Sequence, residues 1–519
     1  MESEIRHNDI VALSERVHKN KYKNYLKFMR LAKVRSFTDA EVSFDFPVTA
    51  LVGPNGAGKT TVLGAAGLLY KDVPPRRFFA KSGRYDDSMK NWKIEYSALS
   101  ESAKFGTTIS RTAGFRRARW NRDGLARSVL IIGIDRTLPA TERTNLSNFI
   151  GNSFDGAEEH EFSSAIVTAV QNILGKEADK YLTVSAKDVK SSIFAVKDDD
   201  NPEKGYSEFH FGAGEASIIR IVSEIEQAPE QCLMLIEEIE NGLHPVATRR
   251  LVEYLIEVAK RKSSQIIFTT HSNAALAPLP DIAVWSCYNG RLQQGKLDVE
   301  ALRTLTGELS CELAVFTEDS FGALLAEVTL RTLTSKGVRF SSIKIHALGG
   351  ANLTYDHVKF HNTNPTSTFP AIALLDGDKR GEKNLLPTPI KVSNSENTAM
   401  STVFGPGNSH PESAIFDDIS ENLTTNKNLL GKLTQRLGID SSHQSQVKES
   451  IERRKCTNRD PHLIFAQIGE DLDFLPEEVV ARAFITMWCD AFPEKVEEIW
   501  GPSFEILPAT IPDMEERTS

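Results

Sequence analysis

The segment Leu51-Val52-Gly53-Pro54-Asn55-Gly56-Ala57-Gly58-Lys59-Thr60-Thr61, followed by Val62-Leu63-Gly64-Ala65-Ala66, leaves few folds open to this chain. It reads as an apolar strand, a glycine loop of the GxxxxGK[ST] pattern and a helix start. Only small, flexible residues let several backbone N–H groups converge on a triphosphate at a helix N-terminus. The segment therefore predicts an α/β nucleotide-binding domain, with ATP held by Gly53, Pro54, Asn55, Gly56, Ala57, Gly58, Lys59, Thr60 and Thr61. Lys59 is expected to reach the terminal phosphates and the Thr60 hydroxyl to ligate Mg2+.

Further pieces follow in order. The apolar run Cys232-Leu233-Met234-Leu235-Ile236 ends in Glu237-Glu238, and a buried strand with acids at its C-terminal end is where an α/β sheet places its site. Glu237 is expected to support the magnesium and Glu238 to polarise the attacking water. A second apolar strand, Gln265–Thr270, delivers His271, placed to sense the terminal phosphate. Phe211-Gly212-Ala213-Gly214-Glu215 opens a helix expected over 216–227. It resembles the signature loop of ATP-binding-cassette and SMC-like ATPases, and so implies that Gly212, Gly214 and Glu215 cap a nucleotide held by a second copy of the chain. Two departures from that pattern, Gly212 in place of a serine and no glutamine between Thr61 and Val170, point to slow or regulated hydrolysis.

A second constellation is acidic. Ala314-Val315-Phe316-Thr317 ends in Glu318-Asp319, a helix is expected over 320–336, Ile343-Lys344-Ile345-His346-Ala347-Leu348 ends in Gly349-Gly350, and Ala371-Ile372-Ala373-Leu374-Leu375 ends in Asp376-Gly377-Asp378. Alternating strands and helices imply parallel pairing, which gathers the strand ends on one edge. Glu318, Asp376 and Asp378 then converge, and carboxylates so placed repel one another unless a divalent cation, Mg2+ or Mn2+, lies among them. The order of these pieces resembles the Toprim domain of topoisomerases, primases and certain nucleases.

An SMC-like ATPase followed by a Toprim domain resembles the OLD-family nucleases, which include the ATPase–nuclease subunits of Gabija-type and retron-associated antiphage systems. The string Glu237-Glu238-Ile239-Glu240-Asn241-Gly242-Leu243-His244-Pro245 is typical of that family. The resemblance implies an ABC/SMC-like ATPase domain over residues 1–305 (with an insertion at about 71–127), a Toprim α/β domain over 306–420, and a mainly helical extension over 421–519 that completes the nuclease region. It also implies a further acidic metal ligand after the Asp-x-Asp strand, for which Glu412 in His410-Pro411-Glu412 is the candidate. Asp460-Pro461-His462 heads another helix, with Asp460 suited to an N-cap.

The expectation is thus an ATP-regulated, metal-dependent DNA endonuclease of antiphage defence, homodimeric through its ATPase domain. A helicase or a reverse transcriptase with its nucleic acid is a candidate partner. Two other readings stay open, an SMC-like DNA repair ATPase and an ATP-binding sensor scaffold that recruits another effector. A net charge of −9 excludes a uniformly basic surface, so nucleic-acid contact must be local. Arg111, Arg116, Arg117, Arg119, Arg122 and Arg127, with Phe115 and Trp120 interleaved, form such a local patch. Within it Arg116, Arg117 and Arg119 are the candidate phosphate contacts, and the aromatics could stack on bases. No apolar run approaches a membrane span and the first residues lack a signal-peptide core, so a cytoplasmic protein is expected. The cysteines show no CxxC spacing, so neither a disulfide framework nor a zinc site is expected.

Overall fold

In the computed structural model, residues 6–81, 89–116, 119–143, 146, 158–185, 192–197, 205–288, 290–296, 301, 304, 311–364, 367–391, 398–425 and 427–509 are described. The chain divides into two units, Met1–Val299 and Glu300–Ser519. The expected boundary at 305/306 falls outside the described residues.

The first unit opens with the helix His7–His18 and a hairpin of β1 (Tyr25–Val34) and β2 (Phe37–Ser43), after which β3 (Val48–Val52) leaves for another sheet. The strands β4 (Trp92–Leu99), β5 (Thr108–Arg116) and β6 (Arg119–Arg122) join that hairpin in an antiparallel sheet of order β2-β1-β4-β5-β6. Residues 71–127, expected as an insertion, thus contribute three strands to the sheet of β1 and β2. Trp92, Ile94, Tyr96 and Ala98 alternate into the same core as Leu31 and Val62. The charged residues between them, Lys93 and Glu95 among others, hid that period of two.

A second sheet carries the nucleotide motifs. It is built from β7 (Val129–Ile132), β12 (Leu233–Ile236), β13 (Gln265–Thr270), β14 (Val284–Tyr288) and β15 (Arg291–Gln294) around β3, in the order β15-β14-β3-β13-β12-β7. All pairings are parallel except that of the edge strand β15. Every residue of β3, β12, β13 and β14 is buried, which is why these strands read as unbroken apolar runs. A small antiparallel sheet, β8 (Glu158–Glu161), β9 (Tyr181–Ser185), β10 (Ser192–Val196) and β11 (Tyr206–Ser207), leads into the helix Ala213–Gln227.

The second unit has a parallel sheet of β16 (Leu313–Thr317), β17 (Ile343–Ala347), β18 (Ala371–Leu375) and β21 (Thr402–Phe404), ordered β17-β16-β18-β21, with β19 (Pro389–Lys391) and β20 (Thr398–Met400) pairing apart. The helices Ser320–Thr332 and Ala351–Thr363 are the crossovers. The remainder is helical and shares one hydrophobic core with the sheet, from Leu313 to Leu507. Trp488 and Trp500 are fully buried in it, and each indole N–H has a partner, Asp418 Oδ2 at 2.8 Å and Thr329 Oγ1 at 3.0 Å. Such anchors contribute both area and direction. No helix among the described residues is long and apolar enough to cross a membrane. The cysteines are free thiols.

Candidate nucleotide and metal sites

The phosphate loop joins the end of β3 to the helix Lys59–Leu68. Gly53 has φ +155°, and a Cβ there would lie 2.2 Å from the Cys287 carbonyl oxygen, so only glycine lets the loop leave between β3 and β14. Asn55, Gly56 and Thr60 are exposed, Gly58 is half-buried, and Gly53, Pro54, Ala57 and Thr61 are buried. Lys59 is buried, and its ammonium donates to the carbonyls of Gly53 at 2.8 Å and Pro54 at 2.9 Å, inside the glycine loop. The Thr61 hydroxyl accepts from Arg35 at 2.8 Å.

Glu237 and Glu238 leave the end of β12, one strand over from β13 and two from β3. Burial pushes the Glu237 carboxyl above its usual range. Glu238 takes a left-handed backbone, φ 45°. Its carbonyl and that of Glu237 accept from the buried guanidinium of Arg136 at 2.5 and 2.7 Å, and its N–H donates to Thr269 Oγ1 at 2.8 Å. Glu240 ties the two strand ends together, accepting from the Thr270 hydroxyl at 2.8 Å and the His271 N–H at 2.5 Å. The His271 backbone is thereby fixed by the carboxylate of Glu240, a role that its place in the Glu237–Pro245 string does not signal. Arg136 carried no recognisable signal, because it acts on backbone carbonyls.

The signature helix begins at Ala213, three residues earlier than expected, with Gly212 as its N-cap. No heavy atom lies within 4 Å of a Cβ built on Gly212, so the missing serine would fit. Gly214 lies against the Gly242 carbonyl, and Glu215 accepts from Lys176 and from the Tyr181 hydroxyl.

In the second unit the structure brings the predicted acids together. Glu318 follows β16, Asp376 and Asp378 follow β18, and the Glu318 carboxylate accepts the Asp376 N–H at 2.8 Å. The Gly349 and Gly350 N–H groups donate to the Glu318 carbonyl at 2.8 and 3.0 Å, which gives the Gly-Gly turn after β17 its role. A Cβ on Gly377 would stand 2.7–2.9 Å from the carbonyl oxygens of Pro406, Gly407 and Ser409. Glycine between the two aspartates therefore lets the loop before His410, and with it the start of the helix Pro411–Thr425 that carries Glu412, press against them.

Glu412 is almost wholly buried, at 3% exposure, with one oxygen 2.9 Å from His462 Nδ1 and the other without a partner. Asp376 Oδ2 faces His410 Nδ1 at 3.5 Å. The donor atoms fall into two groups, Asp376 with Asp378 and His410, and Asp319 with Glu412 and His462; within each they lie inside 4.8 Å of one another. Asp319, His410 and His462 were not foreseen as donors. Asp319 also caps the helix Ser320–Thr332 through Gly322 N–H at 2.8 Å, and Asp460 caps the turn that presents His462.

Burial, then the neighbouring Glu318, Asp319, Glu412 and Asp378, push the Asp376 carboxyl up to about 8, and burial raises Glu318 as well. The nearest ammonium is Lys379, 2.9 Å from Asp378 Oδ2. One ammonium does not offset five gathered carboxyls. Asp378 Oδ1, Glu412 Oε2 and His410 Nδ1 are buried without hydrogen-bond partners. Buried lone pairs left so are costly and mark where a cation would fit.

The arginine patch is smaller than the sequence implied. Phe115 is buried, and Trp120 packs on Phe79 and Phe115 with ring centroids 5.4 and 5.5 Å apart, so these rings serve the core and do not stack on bases. Arg122 donates to the carbonyls of Leu68, Tyr70 and Val73, and Arg127 to Gln231, Tyr70 and Gln265. Arg111 pairs with Asp123. Arg116 and Arg119 face each other, exposed, at the tip of the β5–β6 hairpin; Arg117 lies outside the described residues.

A family model described as "AAA domain, putative AbiEii toxin, Type IV TA system" matches residues 76–277, which hold the signature helix, the Glu237-Glu238 strand and His271. A curated "OLD nuclease" from Thermus scotoductus is 24% identical over 314 residues, covering 48% of this chain and 59% of the relative. The chain is similar in sequence to that nuclease. It spans less than two thirds of that relative's length. The SMC head domain from Thermotoga maritima aligns at 15% identity over 53% of this chain and 99% of its own, with a TM-score of 0.33. An Smc head domain from Pyrococcus furiosus, with an extended coiled coil and bound to the C-terminal domain of ScpA, aligns at 12% over 55% and 99%, with a TM-score of 0.35. The chain thus carries an α/β unit matched by an AAA-domain family, followed by an α/β unit with a mainly helical C-terminal part.

Proposed function

We propose that this protein is an ATP-regulated, divalent-metal-dependent DNA endonuclease of antiphage defence, with a Toprim-type nuclease site in its second unit. The observation that carries the proposal is the convergence of Glu318, Asp376, Asp378 and Glu412 at one edge of a parallel sheet, with three of their neighbouring donor atoms left unpaired. Glu318, Asp376, Asp378 and Glu412, with Asp319, His410 and His462, would hold the cations. Paired divalent cations stabilise charge on the attacking and leaving oxygens of a phosphodiester. The chain's own part is to fix these donors on strand ends, to hold Glu412 dry, and to keep the loop of His410 against Asp376.

In the first unit, Lys59 and the loop N–H groups would hold the triphosphate, Thr60 and Glu237 its magnesium, and Glu238 the water. Gly212, Gly214 and Glu215 are assigned to a partner copy's nucleotide, which makes the protein a homodimer through this domain. The antiphage role rests on the resemblance to OLD nucleases of such systems.

Purified protein is expected to nick or linearise supercoiled plasmid with Mg2+ or Mn2+, and not with chelator; addition of ATP should change the rate. A plasmid left intact under every cation and nucleotide condition would contradict the proposal. Arg116 and Arg119 are assigned to DNA phosphates. Replacing both with Glu should weaken DNA binding and lower the slope of log affinity against log salt by about 2 units, since roughly 0.9 counterion is released per phosphate contact. Filter-binding titrations at several salt concentrations read this directly, and an unchanged slope removes the hairpin from the interface.

A further inference from the structure

The two histidines stand apart from the acidic donors that prompted the metal reading. His410 Nδ1 is buried, has no hydrogen-bond partner and faces Asp376 Oδ2 at 3.5 Å. His462 Nδ1 lies 2.9 Å from the buried Glu412, whose second oxygen is unpartnered. The two rings meet edge-on with centroids 4.6 Å apart. Each donor group contains one of them, so neither group is made of oxygen alone.

Packing holds His462 there. It heads the helix Ile464–Asp471, whose Phe465 is buried, stacks on Phe321 at 5.6 Å and meets Phe484 at 5.1 Å. Phe321 belongs to the helix that Asp319 caps, so one aromatic contact ties the imidazole of the helical part to the carboxylate of the sheet. His410 is fixed by the approach of its loop to Gly377. Both rings are thus placed by the core, as metal ligands must be.

Donor type discriminates among cations. Mg2+ is hard, takes oxygen ligands and parts reluctantly with its waters. Imidazole suits the later first-row transition ions, and the affinity of a nitrogen-containing site rises along the series from Mn2+, its weakest member and so the most stringent probe. We propose that the two donor groups bind first-row transition cations, each through one imidazole, His410 in one and His462 in the other, and that Mg2+ is a poor occupant. This rests on the metal-site reading of the acidic cluster and adds to it the identity of the ion and two ligands.

The test uses Mn2+ as probe on the full-length protein. Pulsed electron paramagnetic resonance should detect nitrogen couplings on bound Mn2+, reduced in both His410→Gln and His462→Gln and absent in the double variant. Calorimetry should show Mn2+ binding at least about tenfold tighter than Mg2+ in the parent, with that preference shrinking in each variant, because even losing a group that only supports a metal ligand costs about 10–100-fold in affinity. Mn2+ bound with no nitrogen coupling in the parent would overturn the proposal and leave the carboxylate nuclease site standing. A loss confined to one variant would overturn the sharing of one imidazole per ion. No binding of Mn2+ or Mg2+ at all would remove both this proposal and the nuclease reading. The parent spectrum decides the first point whether or not a variant folds.

Discussion

Asp378→Ala should abolish plasmid nicking while leaving ATP binding at the parental level. Asp378 has one oxygen on Lys379 and the other buried and unpartnered, beside Asp376 and His410. Removing it deletes a ligand and frees Lys379, and the loss of one preorganised electrostatic group in an active site costs on the order of 10²–10³ in rate. The phosphate loop, Glu237 and Glu238 belong to the other unit and need none of these carboxylates. Nicking assays beside nucleotide-binding titrations on the same preparation separate the two outcomes. Cleavage at the parental rate would show that the acidic edge is not the cutting site.

The second large effect concerns ATP. Lys59→Ala should remove nucleotide binding, since hydrogen bonds from a charged donor contribute about 1.5–3 kcal/mol each and an ammonium on two phosphates makes more than one. In this structure Lys59 already sits among the loop carbonyls of Gly53 and Pro54, so its head need only exchange them for phosphate oxygens. Glu238→Gln should keep binding and lose hydrolysis by roughly 10²–10⁴-fold, the usual contribution of a positioned proton acceptor. The backbone that places Glu238 is held by Arg136 and Thr269 through main-chain atoms, which the substitution leaves in place. Equal loss of binding in both variants would exclude Glu238 as the residue that orients water.

What the sequence revealed depended on the kind of signal. The buried parallel strands β3, β12, β13 and β18 were legible because a strand covered on both faces must be apolar throughout, and the acids at their ends break the run abruptly. Strands β4 and β5 were not legible as part of the β1 sheet, because one face carries charge and the pairing to β1 is long-range. The same ambiguity made Phe115 and Trp120 look like a binding surface. Arginines between aromatics fit either a hairpin with a core face or a nucleic-acid platform, and only tertiary contact distinguishes them.

At the acidic edge, Glu318, Asp376 and Asp378 could be placed from strand order, and Glu412 only from the family resemblance, as an acid after the Asp-x-Asp strand. His462 could not, since it lies 50 positions beyond its partner Glu412 and reaches it only through the packing of Phe465. Asp319 was hidden for another reason. Its side chain caps a helix, a role that accounts for the residue without invoking a metal.

The edge formed by Glu318, Asp376, Asp378 and Glu412 is proposed here as a two-cation site. Titrating metal-free protein with Mn2+ in a calorimeter, without nucleotide so that the first unit contributes no cation, tests it most directly. Two ions per chain in the parent, falling in Glu412→Gln and again in Asp376→Asn, are the expected result. A parent chain that binds no Mn2+ would contradict it.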